Sequence, residues 1–307
     1  MIRPIHGPHR SAVLALLVLL GMGANRPLLA SVPVAWPPLG DAAHREHHSG
    51  KMIWADLVTP DLAAAERFYG SLFGWTFATI QPGAKDFALA SMNGHQVGCL
   101  VQRNKPADQQ HSSMWLTFFA VQDVDGIRNH AILAGARNLY GPTSFPGHGR
   151  QAVLADPEGA VFGVLASSTG DPADLLADPG EWIWSALLAQ DPAQDAAFYQ
   201  KLFGYEVFAL PEEGGAEHLI LSSDDYARAS VNTMPGAAPR RHSHWLNFIR
   251  VTDTGAAAAR AVALGGRILV QPHVDRHGGQ VAVIADPAGA PVGLMEWTDK
   301  DTKLEPK

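Results

Sequence analysis

The sequence predicts an α+β protein of two tandem domains. Each is built of two β-α-β-β-β units forming a cupped, mostly antiparallel sheet with helices outside. Three observations lead there. The string WADLVTPDLAAAERFYGSLFGW, starting at Trp54, returns as WSALLAQDPAQDAAFYQKLFGY, starting at Trp184. The offset of 130 persists downstream, pairing Trp115 with Trp245, Gly135 with Gly265 and Asp156 with Asp286. Within each copy, a strand-helix-strands order runs twice. A lone unit leaves one sheet face uncovered, whereas two side by side can curl into a cup with a cleft inside.

Residues 1–30 read as a secretory signal, with Arg3 and Arg10 ahead of the apolar run Ala12 to Leu20 and then small residues. The run falls short of the ~20 apolar residues that span a bilayer. The expected location is periplasmic or secreted, with no stable membrane insertion after cleavage; an uncleaved anchor is the alternative. Residues 31–50 read as a linker, because the prolines of VPVAWPP cannot continue a helix. Its His44, His47 and His48 read as a solvated lead-in, since an unstructured segment must be ordered before it can hold a metal.

The first domain, 51–167, opens with the strand MIWADLV. Asp61 then caps a helix in which Leu62, Ala65, Phe68, Tyr69 and Leu72 recur at helical spacing, and Gly74 ends it. WTFATI, DFALASM and QVGCLVQ read as strands. The order repeats with the strand MWLTFFAV, the helix DVDGIRNHAILAGA and strands near 138–145, 151–155 and 161–165. SSTGDPADLLADPGE supplies a linker at 168–180. The second domain covers 181–298, and 299–307 is a tail.

A net charge of −7 with scattered Lys and Arg argues against a nucleic-acid partner. A homodimer stays open. Cys99 is the only cysteine, so no intrachain disulfide forms, and its apolar strand reads as buried rather than nucleophilic.

The strings FYGSLFGW and FYQKLFGY, with LADPEGAVFGVL and IADPAGAPVGLM, resemble the vicinal oxygen chelate superfamily. That group includes glyoxalase I, extradiol dioxygenases and bleomycin-binding proteins; the closest likeness is to a tandem glyoxalase-related subgroup. The resemblance implies the cupped fold. In metal-using relatives it implies a His or Glu near the start of a unit's first strand and a Glu on its last strand. Here the first-strand positions fall on Trp54 and Trp184, and on Trp115 or Leu116 and Trp245 or Leu246. The last-strand positions fall on Gly163 and Gly293. An indole offers only an N–H donor and glycine offers no side chain, so neither holds a cation. The expectation is therefore no cofactor, and a small, planar or apolar organic molecule as ligand. The alternative is a divalent metal serving a glyoxalase-type lyase or isomerase, or a dioxygenase, with ligands drawn from His242, His244, His273 and His277.

The same mapping points Trp54, Trp115, Trp184 and Trp245 into the clefts as ligand-binding residues, with plugging of the clefts as the other option. Alternation puts Trp54, Asp56 and Val58 on one face of their strand. Asp56 is the candidate acid–base residue, because desolvation beside indole raises a carboxyl pKa. Arg150, with His148, is the candidate anion contact at the first cleft mouth, and Arg150 is also a candidate partner for Asp56. Asp156 and Asp286 begin Asp-Pro-x-Gly turns, where their role is geometric.

Overall fold

A computed structural model describes residues 36, 38–40, 45–79, 86–103, 113–210, 218–234, 242–275 and 278–297. The 1–30 signal, His44, His277 and the 299–307 tail lie outside the described residues. The first domain contains β1 (Met52–Thr59), α1 (Leu62–Phe73), β2 (Thr76–Ala78), β3 (Phe87–Met92) and β4 (His95–Gln102). It continues with β5 (Met114–Ala120), α2 (Val124–Leu133), β6 (Arg137–Phe145), β7 (Gly149–Ala155) and β8 (Val161–Ser167). The second contains β9 (Trp182–Ala189), α3 (Pro192–Phe203), β10 (Glu206–Leu210), β11 (His218–Ser223) and β12 (Tyr226–Thr233). Then come β13 (His244–Arg250), α4 (Thr254–Ala263), β14 (Arg267–Val274), β15 (Gln280–Ala285) and β16 (Pro291–Met295).

Each domain is one eight-stranded mixed sheet, ordered β2-β3-β4-β1-β5-β8-β7-β6 and β10-β11-β12-β9-β13-β16-β15-β14. The two units of a domain join through their first strands, β1 with β5 and β9 with β13, both antiparallel. Each first strand pairs in parallel with its own unit's last strand. Asp61, Asp123, Asp191 and Asp253 cap the four helices, each carboxylate accepting from the backbone N–H three residues on.

The helix-covered faces of the two sheets do not build separate cores. Phe68, Tyr69 and Phe73 of α1 share a buried cluster with Ile249, Ala258, Ile284 and Leu294 of the second domain. Phe198, Tyr199 and Phe203 of α3 share another with Phe119, Leu154 and Phe162 of the first. The Tyr69 hydroxyl donates to Asp286 Oδ2 at 3.3 Å, and the Tyr199 hydroxyl to Asp156 Oδ2 at 2.9 Å. At the centre, Thr117 Oγ1 donates to Asn247 Oδ1 at 2.8 Å, joining residues that occupy the same position in the two copies. Burying both faces against shared partners makes the domains one interlocked body. The residues just ahead of β1 are tied to the interdomain linker: Lys51 Nζ lies 2.8 Å from Asp174, and the His48 amide donates to Asp171 at 2.8 Å. No described helix is long and apolar enough to cross a membrane.

Candidate functional site

The sheet faces turned away from the helices form two cups of unequal character. In the first, Trp54 is 2% exposed and donates from Nε1 to Asp56 Oδ1 at 2.8 Å. Burial pushes the Asp56 carboxyl up to about 7, against the opposing pull of that hydrogen bond. Cys99 lies opposite Asp56 in the register. It shares a buried cluster with Trp54, Leu116, Phe118, Val153 and Leu165. The His148 ring meets Trp54 edge-on at 4.9 Å and Trp36 at 5.1 Å, so the cup is filled to its mouth.

The second cup has the same frame with different walls. Ser230 lies opposite Ala186 as Cys99 lies opposite Asp56, so serine replaces the thiol. By the same register Asn232 takes the place of Val101, His218 that of Phe87 and His244 that of Met114. Trp184, Ile220, Phe248, Val281 and Val283 are only half-buried. At the two edges, Phe208 is 50% and Val270 41% exposed. Trp184 stacks on Trp297 at 6.4 Å and donates to Ser230 Oγ at 3.0 Å. Asn232 Nδ2 donates to the same hydroxyl at 3.2 Å. Asn232 Oδ1 and Trp297 Nε1 are left buried with no partner among the described residues. The cup thus offers a half-exposed apolar wall at Trp184, Ile220, Phe248, Val281 and Val283, while Asn232 Oδ1 and Trp297 Nε1 are closed off from solvent. Such groups are costly to bury unless something completes them.

Several sequence expectations need correction in placement. Trp115 and Trp245 face the helices, not the cups; each donates from Nε1 at 2.9 Å, to Tyr69 and Tyr199. The strand MWLTFFA is apolar on both faces, so alternation could not tell its sides apart, and Leu116 and Leu246 take the cup positions. Arg150 points away from the cleft and forms a bidentate pair with Asp125 at 2.6 and 2.8 Å, which holds that carboxyl below its usual range. His242 is exposed beside the Gly159 turn. His244 lies at the start of β13, while His273 sits near the far end of edge strand β14. Among the described residues no three His, Cys, Asp or Glu side chains gather where a metal could sit.

The family's metal position does not fit this chain. A Cβ on Gly163 would lie 2.1 Å from the Phe118 ring, and one on Gly293 2.1 Å from the Phe248 ring. Phenyl rings fill the space a last-strand glutamate would need. Sequence reading missed Ser230, Asn232 and Trp297. Ser230 and Asn232 align with Cys99 and Val101 only after a one-residue shift inside the repeat, which constant spacing hides.

Residues 51–164 match the family described as glyoxalase/bleomycin resistance protein/dioxygenase superfamily, and 184–295 match a glyoxalase-like domain. The chain is 30% identical over 253 residues to the putative glyoxylase CFP32 of Mycobacterium tuberculosis, covering 82% of this chain and 96% of that one. It is 30% identical over 259 residues to the anthracycline biosynthesis protein DauV of Streptomyces sp. strain C5, covering 80% and 93%. Among solved structures, the Mn(II)-bound glyoxalase from Novosphingobium aromaticivorans superposes with a TM-score of 0.58 at 17% identity, covering 81% of this chain and 83% of that one. A variant of homoprotocatechuate 2,3-dioxygenase from B. fuscum superposes with a TM-score of 0.58 at 13% identity, covering 87% and 74%. These structural likenesses establish the shared fold.

Proposed function

The chain belongs to the glyoxalase/bleomycin resistance protein/dioxygenase superfamily, and from that premise we propose that it binds a small planar organic molecule in the second cup, without the family's metal. The observation that carries this reading is the half-exposed apolar wall of Trp184, Ile220, Phe248, Val281 and Val283, with Trp297 stacked beside Trp184. A flat ring system can stack on that wall, as planar groups stack on indole. The anthracycline biosynthesis relatives support the same ligand class, since anthracyclines carry fused, oxygenated rings. The reading includes export, supported by the charged lead and apolar run within residues 1–30. Fractionation of the producing cell, with sequencing of the mature N-terminus, tests that part; full-length chain in the cytoplasm would refute it.

The binding test is a tryptophan-fluorescence titration with a dihydroxyanthraquinone. Saturable quenching at one equivalent is expected. Trp184→Ala should weaken it by about ten-fold, while Trp54→Ala leaves it in place. Absence of quenching, or quenching that requires a divalent ion and vanishes with chelator, would overturn the proposal.

A further inference from the structure

The first cup is closed by the chain's own lead-in. Trp36 meets Phe145 edge-on at 5.7 Å and His148 at 5.1 Å, and His148 meets Trp54 at 4.9 Å. The rings form a ladder from solvent to the sheet floor, where Trp54 holds Asp56 and Cys99 lies wholly buried. Trp36 and Leu39 pack on the cluster that contains Trp54, Cys99 and Phe118. Backbone bonds pin the segment: Trp36 N–H donates to Pro146 at 3.4 Å, and the Leu39 and Gly40 amides to Thr169 Oγ1 at 3.0 and 3.3 Å. The approach is close enough to demand glycine on the wall. Gly147 has φ +81, and a Cβ there would lie 2.8 Å from the Trp36 carbonyl. In the second copy Gly278 stands at the sequence position of His148, and a Cβ on it would meet nothing within 4 Å. Gly278 thus gives the second cup no ring in the place of His148.

We propose that the first cup is a binding site for a flat aromatic group of about indole size, and that Trp36 is its resident guest. Attachment through the chain gives this guest a high effective concentration. A free aromatic competes only while Trp36 is out, so its apparent affinity falls by the fraction of time the cup is open. The cup's interior favours neutral, apolar guests, because its floor is Cys99, Leu116, Phe118 and Leu165. Proton transfer by Asp56 would require such a guest to displace Trp36 first.

Cys99 is the sole thiol and lies in the floor, so its labelling reports whether the cup is open. The full chain and its Trp36→Ala variant are compared by reaction with dithionitrobenzoate. Labelling in the variant should be about ten-fold faster through local opening at similar melting temperature. Millimolar methylindole should slow it again, while an aliphatic alcohol of similar volume should not. Leu39→Ala, which loosens the segment but keeps the guest, should give an intermediate rate that methylindole also lowers. Rates equal to the parent's in both variants would overturn the proposal. So would acceleration that methylindole leaves unchanged, or that tracks loss of fold. The readout is confined to the first cup, so it is independent of binding in the second.

Discussion

Gly163 is glycine because Phe118 occupies the space a side chain would need, and Gly293 stands in the same relation to Phe248. Gly163→Ala should lower stability by about 1–3 kcal/mol through overpacking, and Phe118→Ala in the same chain should recover part of the loss. Denaturant unfolding of the two single variants and the double measures this; a neutral Gly163→Ala would remove the steric account of the missing ligand. Asp195 is a second site where one residue governs behaviour. It is 1% exposed on α3, and the first copy has Ala65 at that position. Asp156 and Glu158 face it from the first domain's turn, with Asp191 at the helix cap and Ser243 ahead of β13. Burial, then repulsion by Asp156, pushes its carboxyl up to about 7, and burial pushes Asp156 up to about 6. Both lie above the unfolded value of ~4, so the folded state holds these protons while the unfolded state releases them. Their stabilising contribution is complete at acid pH and is lost as pH rises through about 6 to 7. Melting temperature should therefore fall between about pH 5 and about pH 8, and fall less in Asp195→Asn. Parallel curves for the two proteins would count against this assignment.

At the scale of elements, what could be read in advance depended on whether a signal is local. The start of α1 was legible because the Asp61 cap acts within three residues, and Asp123, Asp191 and Asp253 cap the other three helices in the same way. Asp253→Ala should cost about 1 kcal/mol in denaturant unfolding, with no effect on binding in either cup. β1 was legible as well, since Trp54 and Asp56 share the cup face while Leu57 packs with α1. β5 and β13 were not. β5 is covered on both sides and β13 carries large apolar residues on both faces, so alternation does not place Trp115 and Trp245, which face the helices. The shift of β12 against β4 was hidden for a related reason. Register is set by pairing with β9, not by counting residues, and the shift replaces a buried thiol with Ser230.

At the scale of the whole molecule, the Asp-Pro-x-Gly turns do more than turn. Asp156 Oδ1 accepts from its own turn at Ala160, at 2.7 Å, while Oδ2 accepts from Tyr199 of the other domain at 2.9 Å. Trp245 donates to the same tyrosine hydroxyl. Tyr199→Phe would leave a buried carboxylate oxygen and an indole N–H unmet, and should cost about 1–3 kcal/mol. Since the cores of the two domains are shared, scanning calorimetry should show one transition in the parent protein. Two separate transitions, one per domain, would contradict the interlocked arrangement.

By itself the sequence determined the duplication, the four units, the Asp61 helix cap and the lack of metal-binding side chains at the positions the family uses. These reside in local periodicity and in the chemistry of single residues. Only the tertiary structure decided which face each central tryptophan takes, that the domains share their cores, and that the described residues bury Trp54 in one cup and leave Trp184 half-exposed in the other. Those outcomes depend on strand register and on contacts between residues more than 100 positions apart, such as Trp36 with His148. The energy of such contacts comes from packing and desolvation, which no stretch of chain specifies until its distant partner is in place.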